Sequence, residues 1–150
     1  MSIQTDYEFF DRITRGHRDA TDFLMSFFYA CHLWDDLIDK DKERTDAHIN
    51  HAFWLFLVDI PRNPWYIRNF MDIHPVIMNA VQEWLAANEL ERTDRPDIAY
   101  TLRCSIVSVV HQTALLCGGY EWAVEIGPEI RRISQAETYE EYLEALKCQA

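Results

Sequence analysis

Between Asp19 and Lys40 the chain carries neither glycine nor proline. Its apolar residues there are Phe23, Leu24, Phe27, Phe28, Cys31, Trp34 and Ile38, and they recur at the helical period. A stretch of this length and period is an amphipathic helix, and it needs other elements to cover its apolar face. The rest of the chain offers helices for that purpose. Few segments alternate with period two, and the prolines fall at plausible helix starts. The sequence therefore predicts an all-α fold, a single-domain bundle of five to seven helices over residues 1–150. No repeat, low-complexity tract or interdomain linker interrupts it.

The expected helices follow in order. A short one covers 4–14, with Tyr7, Phe10 and Ile13 inward and Gly16 in the turn. The long one covers 19–40, and the charged segment 40–46 is a solvated turn. A third covers 46–59, its apolar set being Phe53, Trp54, Phe56, Leu57 and Val58, and Pro61 and Pro64 stop it. Residues 65–73 form a short helix or turn. Pro75 opens a helix over 75–90, and Asp94 to Pro96 is a second break. A mostly apolar helix spans 97–117 and closes at Gly118-Gly119. Helix continues over 120–126, and Pro128 opens a last pair, 128–135 and 138–147.

Charge limits what such a bundle can bind. The net charge is −11, from 25 acidic and 14 basic residues. A phosphate-backbone binder needs a basic surface, so direct nucleic-acid binding is not expected. The acid surplus suits a cation or a basic protein partner. Asp6, Glu8 and Asp11 interrupt any apolar leader, and no apolar run is long enough for a membrane span, so a cytoplasmic location is expected. The cysteines, Cys31, Cys104, Cys117 and Cys148, form no CxxC pair and are expected to be reduced thiols.

The densest chemistry lies at the end of the long helix, in residues 31–44. At about 100° per residue, with Asp35 at zero, Asp39 lies near 40°, His32 near 60° and Asp36 near 100°. The three aspartates share one edge beside the apolar face, where their mutual repulsion is strong. Two resolutions are open. The acids hold a cation, with Asp35 and Asp39 one turn apart and His32 as a further ligand. Oxygen ligands favour Mg2+ or Mn2+. Otherwise this is a solvated helix end whose acids, opposed to the macrodipole, are neutralised by Lys40, Lys42 and Arg44.

Asp35-Asp36-Leu37-Ile38-Asp39 resembles the first aspartate-rich motif, DDxxD, of the class I isoprenoid synthases. The position towards the end of a long, apolar-lined helix and the following Arg44 are similar too. The resemblance covers residues 31–44. It implies that Asp35, Asp36 and Asp39 hold Mg2+ against a substrate diphosphate and are the catalytic residues, with Asp35 and Asp39 as ligands and Asp36 supporting. Asn79 to Glu83 resembles part of the second motif, NxxxSxxxE, which adds Asn79 and Glu83 to the implied metal set. The chain is shorter than a complete synthase. The resemblance thus implies a reduced relative, a dimer sharing one site, or a small diphosphate hydrolase. In size, helicity and acidity the chain is also similar to the all-α nucleotide pyrophosphohydrolases, and in style to small bacteriophage proteins.

Two functional expectations follow. The first is a small Mg2+-dependent protein that binds or hydrolyses a diphosphate-bearing ligand, isoprenoid or nucleotide, with Arg44 and Arg103 as phosphate contacts. The second is a non-enzymatic acidic helical protein that binds or inhibits a basic protein partner. Abundant large apolar residues also suit a homo-oligomer. Arg103 has a plainer alternative, in which it extends to water near its helix start. His111 is expected to be a hydrogen-bonded core histidine, and His48 and His51 surface residues. The five tryptophans are core or interface anchors. No phosphate-loop, dinucleotide, nucleophile-elbow or HExxH motif occurs. Cys31 and His32, adjacent on a helix, point about 100° apart and make a poor dyad.

Overall fold

The computed structural model describes residues 3–149 except Asp41, Arg92 and Asp94, and the side chains from Asp6 to Lys147. Three expectations fall outside them: the charge of Asp41 in the turn, Asp94 in the second break, and the Cys148 thiol. The all-α expectation is borne out, for no strand occurs among the described residues. Cys31, Cys104 and Cys117 are thiols, as expected. The chain divides into two compact units, Met1–Phe70 and Met71–Ala150.

The first unit is built on α2 (Arg18–Asp39). Phe23, Leu24, Phe27, Ala30, Cys31 and Leu33 are buried on it. α1 (Ile3–Ile13) contributes Phe9, Phe10 and Ile13. Phe10 packs on Phe28 with ring centroids 5.1 Å apart. A buried hydroxyl pair, Thr14 and Thr21 at 2.7 Å, satisfies both groups where the chain turns from α1 into α2.

α3 (Asp46–Trp54) starts at Thr45, in a reciprocal cap with His48. It does not run to Asp59 as one α-helix. Leu55–Asp59 is a π-helical turn, followed by α4 (Ile60–Arg62). The extra residue in that turn brings both Leu55 and Ile60, five apart, onto the buried side. α5 (Pro64–Arg68) follows, with Asn63 as its N-cap. Asn63 Nδ2 donates to the Asp19 carbonyl at 2.8 Å, which ties α5 to the start of α2. Trp65 and Tyr66 then stack on Phe23, at 5.2 and 5.3 Å.

The second unit begins in the first turn of α6 (Phe70–Glu91). The sequence placed this helix start at Pro75, but it lies five residues earlier. Pro75 removes only the hydrogen bond to the Met71 carbonyl, near the helix end. Ile73, Ala80, Trp84 and Ala87 form the buried stripe. The expected helix over 97–117 is broken. α7 is Pro96–Leu102, and α8 begins at Val107. Across the break the backbone bonds close three residues back, as from Ser105 N to Leu102 O. Ser105 Oγ donates to the Ala80 carbonyl at 2.6 Å, a buried contact that fixes the break against α6.

α8 (Val107–Ser134) also departs from expectation, since it continues through Pro128. Its helical conformation fails only at Gly119, with φ 78° and ψ −178°. A Cβ on Gly127 would lie 3.5 Å from His111 Cε1. These residues would be about 24 Å apart on a straight helix, so the two arms fold back at Gly119.

α9 (Tyr139–Gln149) is capped by Thr138 and Glu141, each side chain accepting from the other residue's backbone N–H. Tyr142 anchors it. Its buried hydroxyl donates to Glu91 Oε1 at 2.7 Å, and the Arg103 guanidinium lies 4.9 Å from its ring centroid. Burial, and then the Glu91 carboxylate, push the hydroxyl far above its usual range. Tyr142→Phe leaves that carboxylate without its donor, and a loss of about 1–2 kcal/mol is expected in urea unfolding.

Candidate functional site

α2 ends where its acids cluster. Lys40, in the left-handed conformation with φ 57°, closes the helix, and its N–H donates to the Asp36 carbonyl at 3.0 Å. The following turn then doubles back on the helix end. Lys42 Nζ donates to Asp36 Oδ1 at 2.9 Å, and Arg44 Nη2 donates to Asp36 Oδ2. Asp36 is only 5% exposed. Burial pushes its carboxyl up, but the hydrogen bonds and charges of Lys42 and Arg44 outweigh this and hold it below the usual carboxylate range. The cations expected at a solvated helix end are therefore present, and two of them converge on one buried oxygen pair.

The other aspartates differ from Asp36. Asp35 is half-buried and Asp39 exposed, and each has a polar or electrostatic contact of its own. His32 is exposed and meets the Phe28 ring edge-on, centroids 5.8 Å apart. The Cys31 thiol is pushed up to about 12, by burial and then by the Asp35 charge, so it is an inert core group. Ile38, expected inward, is exposed, because it lies beyond the α2–α3 seam at Ala30, Leu33 and Ala52.

The remaining candidates lie in the second unit. Asn79 Nδ2 donates to Glu83 Oε1 at 3.0 Å, so these two pair along α6. Arg103 donates to Glu137 Oε2 at 3.2 Å as well as lying over Tyr142. It thus has a carboxylate and a ring instead of water alone. His111 departs from the hydrogen-bonded core histidine expected, since its buried Nε2 has no hydrogen-bond partner in this structure. Its pKa is lowered by burial and then by Arg131. Of the expected surface pair, His48 caps α3 and His51 packs on Tyr29 at 4.8 Å. Among the described residues, no group of three or more His, Cys, Asp or Glu is gathered as a metal site.

A feature of a different kind stands on the outer side of α3. Ala52 and Leu55 face inward, whereas Phe53, Trp54 and Leu57 are 60%, 56% and 71% exposed. On α3 Asp46, Asn50, Phe53 and Trp54 fall within a sector of about 100°, and Leu57 follows in the π turn. Trp54 Nε1 donates to Asp59 Oδ1 at 3.0 Å, spanning the π turn. Sequence reasoning missed this face because it grouped all five large residues of 53–58 as one apolar set.

Beside the π turn a cleft of about 560 Å3 opens, lined by Tyr7, Asp22, Met25, Asp59 and Arg62 among others. Arg18 lies 4.0 Å from Asp22, so the charge around it is mixed. No described helix is long and apolar enough to cross a membrane. Compared with protein-family models, curated proteins and solved structures, the chain matches none of them.

Proposed function

We propose that this protein is a non-catalytic helical interaction protein that docks a basic protein partner on the outer face of α3. The observation that carries this reading is the exposure of Phe53, Trp54 and Leu57 along α3 and the following π turn. Contiguous apolar surface of this kind marks a contact site, and Trp and Phe are favoured interface anchors. The net charge of −11 selects a basic partner. Photo-crosslinking tests it. A benzophenone amino acid at position 57 is expected to yield one dominant adduct in the producing cells, with a basic protein. The same probe at exposed Tyr120, in the other unit, is expected not to yield it. Scattered adducts from both positions would sink the reading.

A second reading keeps the α2 end as a Mg2+ or Mn2+ site for a diphosphate-bearing ligand. The observation favouring it is the placement of Asp35 and Asp39 one turn apart in the last turns of a 22-residue helix. Asp36 would act from behind, since Lys42 and Arg44 already engage it. Bound metal would offset phosphoryl charge. Thermal unfolding with Mg2+, Mn2+ and pyrophosphate decides it. A rise of several degrees, absent from the Asp35→Ala/Asp39→Ala variant, supports the site. No rise at millimolar ligand rejects it.

A further inference from the structure

We propose that the cleft beside the π turn binds a small zwitterion, a free α-amino acid with a large apolar side chain. This inference uses the cleft residues alone and is independent of the docking reading.

The walls of the cleft suit a small molecule. Its volume of about 560 Å3 falls within the range of small-molecule sites, about 300–1,000 Å3. Met25 and Ile60 give it apolar surface, and Tyr7 and Ser26 bring hydroxyl groups. These residues come from α1, α2 and α4, all within the first unit. The π turn ends at Asp59, which also lines the cleft. Single π turns within helical runs recur at functional sites.

The charges select the ligand. Among the described residues the Arg62 side chain has no hydrogen-bond or ion-pair partner. The two carboxylates are each engaged through one oxygen. Asp22 Oδ2 lies 4.0 Å from Arg18, and Asp59 Oδ1 accepts from Trp54 Nε1 at 3.0 Å. Each therefore keeps a second oxygen for a donor. A simple anion would meet Arg62 but be repelled by both aspartates, and a simple cation would meet the aspartates but be repelled by Arg62. A molecule with both charges close together satisfies both. The backbone is helical at Asp59 and Ile60, so Asp59 and Arg62, three residues apart, have Cβ atoms about 5–6 Å from each other. The carboxylate and ammonium of an α-amino acid share one carbon and can face that pair at once. The forked guanidinium matches the carboxylate, and the side chain lies against Met25 and Ile60.

Calorimetric titration of the full chain with three probes tests this. L-phenylalanine is expected to bind at least tenfold tighter than phenylpropanoate, which lacks the ammonium, or phenethylamine, which lacks the carboxylate. Arg62→Gln is expected to weaken phenylalanine at least tenfold while phenethylamine binds no worse. Asp59→Asn keeps an acceptor for Trp54 and is expected to weaken phenylalanine and phenethylamine but not phenylpropanoate. Both positions are exposed, so an unchanged Tm is expected for each variant. Phenylpropanoate binding as tightly as phenylalanine overturns the zwitterion in favour of an anion site at Arg62. Phenylalanine binding that neither variant alters places it elsewhere and overturns the proposal. So does the absence of binding by all three probes at millimolar concentration.

Discussion

Gly119→Ala is expected to lower stability by about 3 kcal/mol, a fall in Tm of roughly 9 °C for a chain of this size. At φ 78° and ψ −178° the residue occupies a region that is essentially glycine-only, and it is the point where α8 reverses. No atom lies within 4 Å of a Cβ placed there, so the cost is backbone strain and not collision. The neighbouring glycine fails differently. A Cβ on Gly118 would meet the stem of the Trp122 side chain, 2.8 Å from its Cβ, so Gly118→Ala must displace the indole. Gly127→Ala is the control. Its new methyl would sit 3.5 Å from His111, an ordinary contact, and alanine favours helix over glycine by about 1 kcal/mol. Calorimetry of the three variants is expected to show two clear losses and one neutral or stabilised protein. Equal, small effects at 119 and 127 would show that the chain does not turn there.

Asp36→Asn is expected to cost about 2 kcal/mol at pH 7, the scale of hydrogen bonds to a buried charged group, because Lys42 and Arg44 keep 61% and 27% of their side chains exposed. The substitution keeps the shape and leaves Lys42 and Arg44 facing a neutral amide. Arg44 Nε is itself buried without a hydrogen-bond partner in this structure, so its guanidinium is poorly placed to lose the carboxylate. Asp39→Asn, at an exposed position, is expected to change stability by less than about 1 kcal/mol. The pH dependence identifies the cause. The folded Asp36 carboxyl lies below its usual value, so it contributes stability above the unfolded pKa of about 3.9, and that contribution is lost as pH falls through the folded pKa. The difference between wild type and Asp36→Asn, measured by urea unfolding, is therefore expected to narrow well below pH 4. A difference that persists there would place the loss in packing and not in the ion pair.

The two variants bear on the function as well. Asp36 lies within the segment that resembles an aspartate-rich motif, and the resemblance gives it a supporting part beside Asp35 and Asp39. Burial separates them, because Asp36 is the buried one and two cations from the next turn, Lys42 and Arg44, converge on it. If Asp36→Asn destabilises the protein while Asp39→Asn does not, the central acid closes the helix end. A cation site there would then rest on Asp35 and Asp39.

Much of the helical order was legible in the chain. The α2 helix could be read from its period and its lack of glycine and proline, and it ends one residue before the expected Lys40. The start of α3 and the turn before it followed from the run of charged residues over 40–46. The breaks that were misread have tertiary causes. Ser105 looks unremarkable on an apolar helix, and its bond to the Ala80 carbonyl, 25 residues away in the chain, is not legible in the sequence. Pro75 and Pro128 are read from sequence as helix starts, yet both lie inside helices because neighbouring packing outweighs one lost hydrogen bond. The π turn at Leu55–Asp59 carries no local signature either; it brings Leu55 and Ile60 to one side.

The sequence by itself determined the class of fold and the position of every charge, because helical period and breaker residues act over a few neighbours. Only the tertiary structure decided which apolar residues of α3 are core and which are exposed. It also decided that Asp36, and not Asp35 or Asp39, is the buried member of its cluster. Both depend on what packs against a helix, and burial is set by residues distant in the chain. Phe53 and Leu55 are equally apolar, but only one of them faces α2.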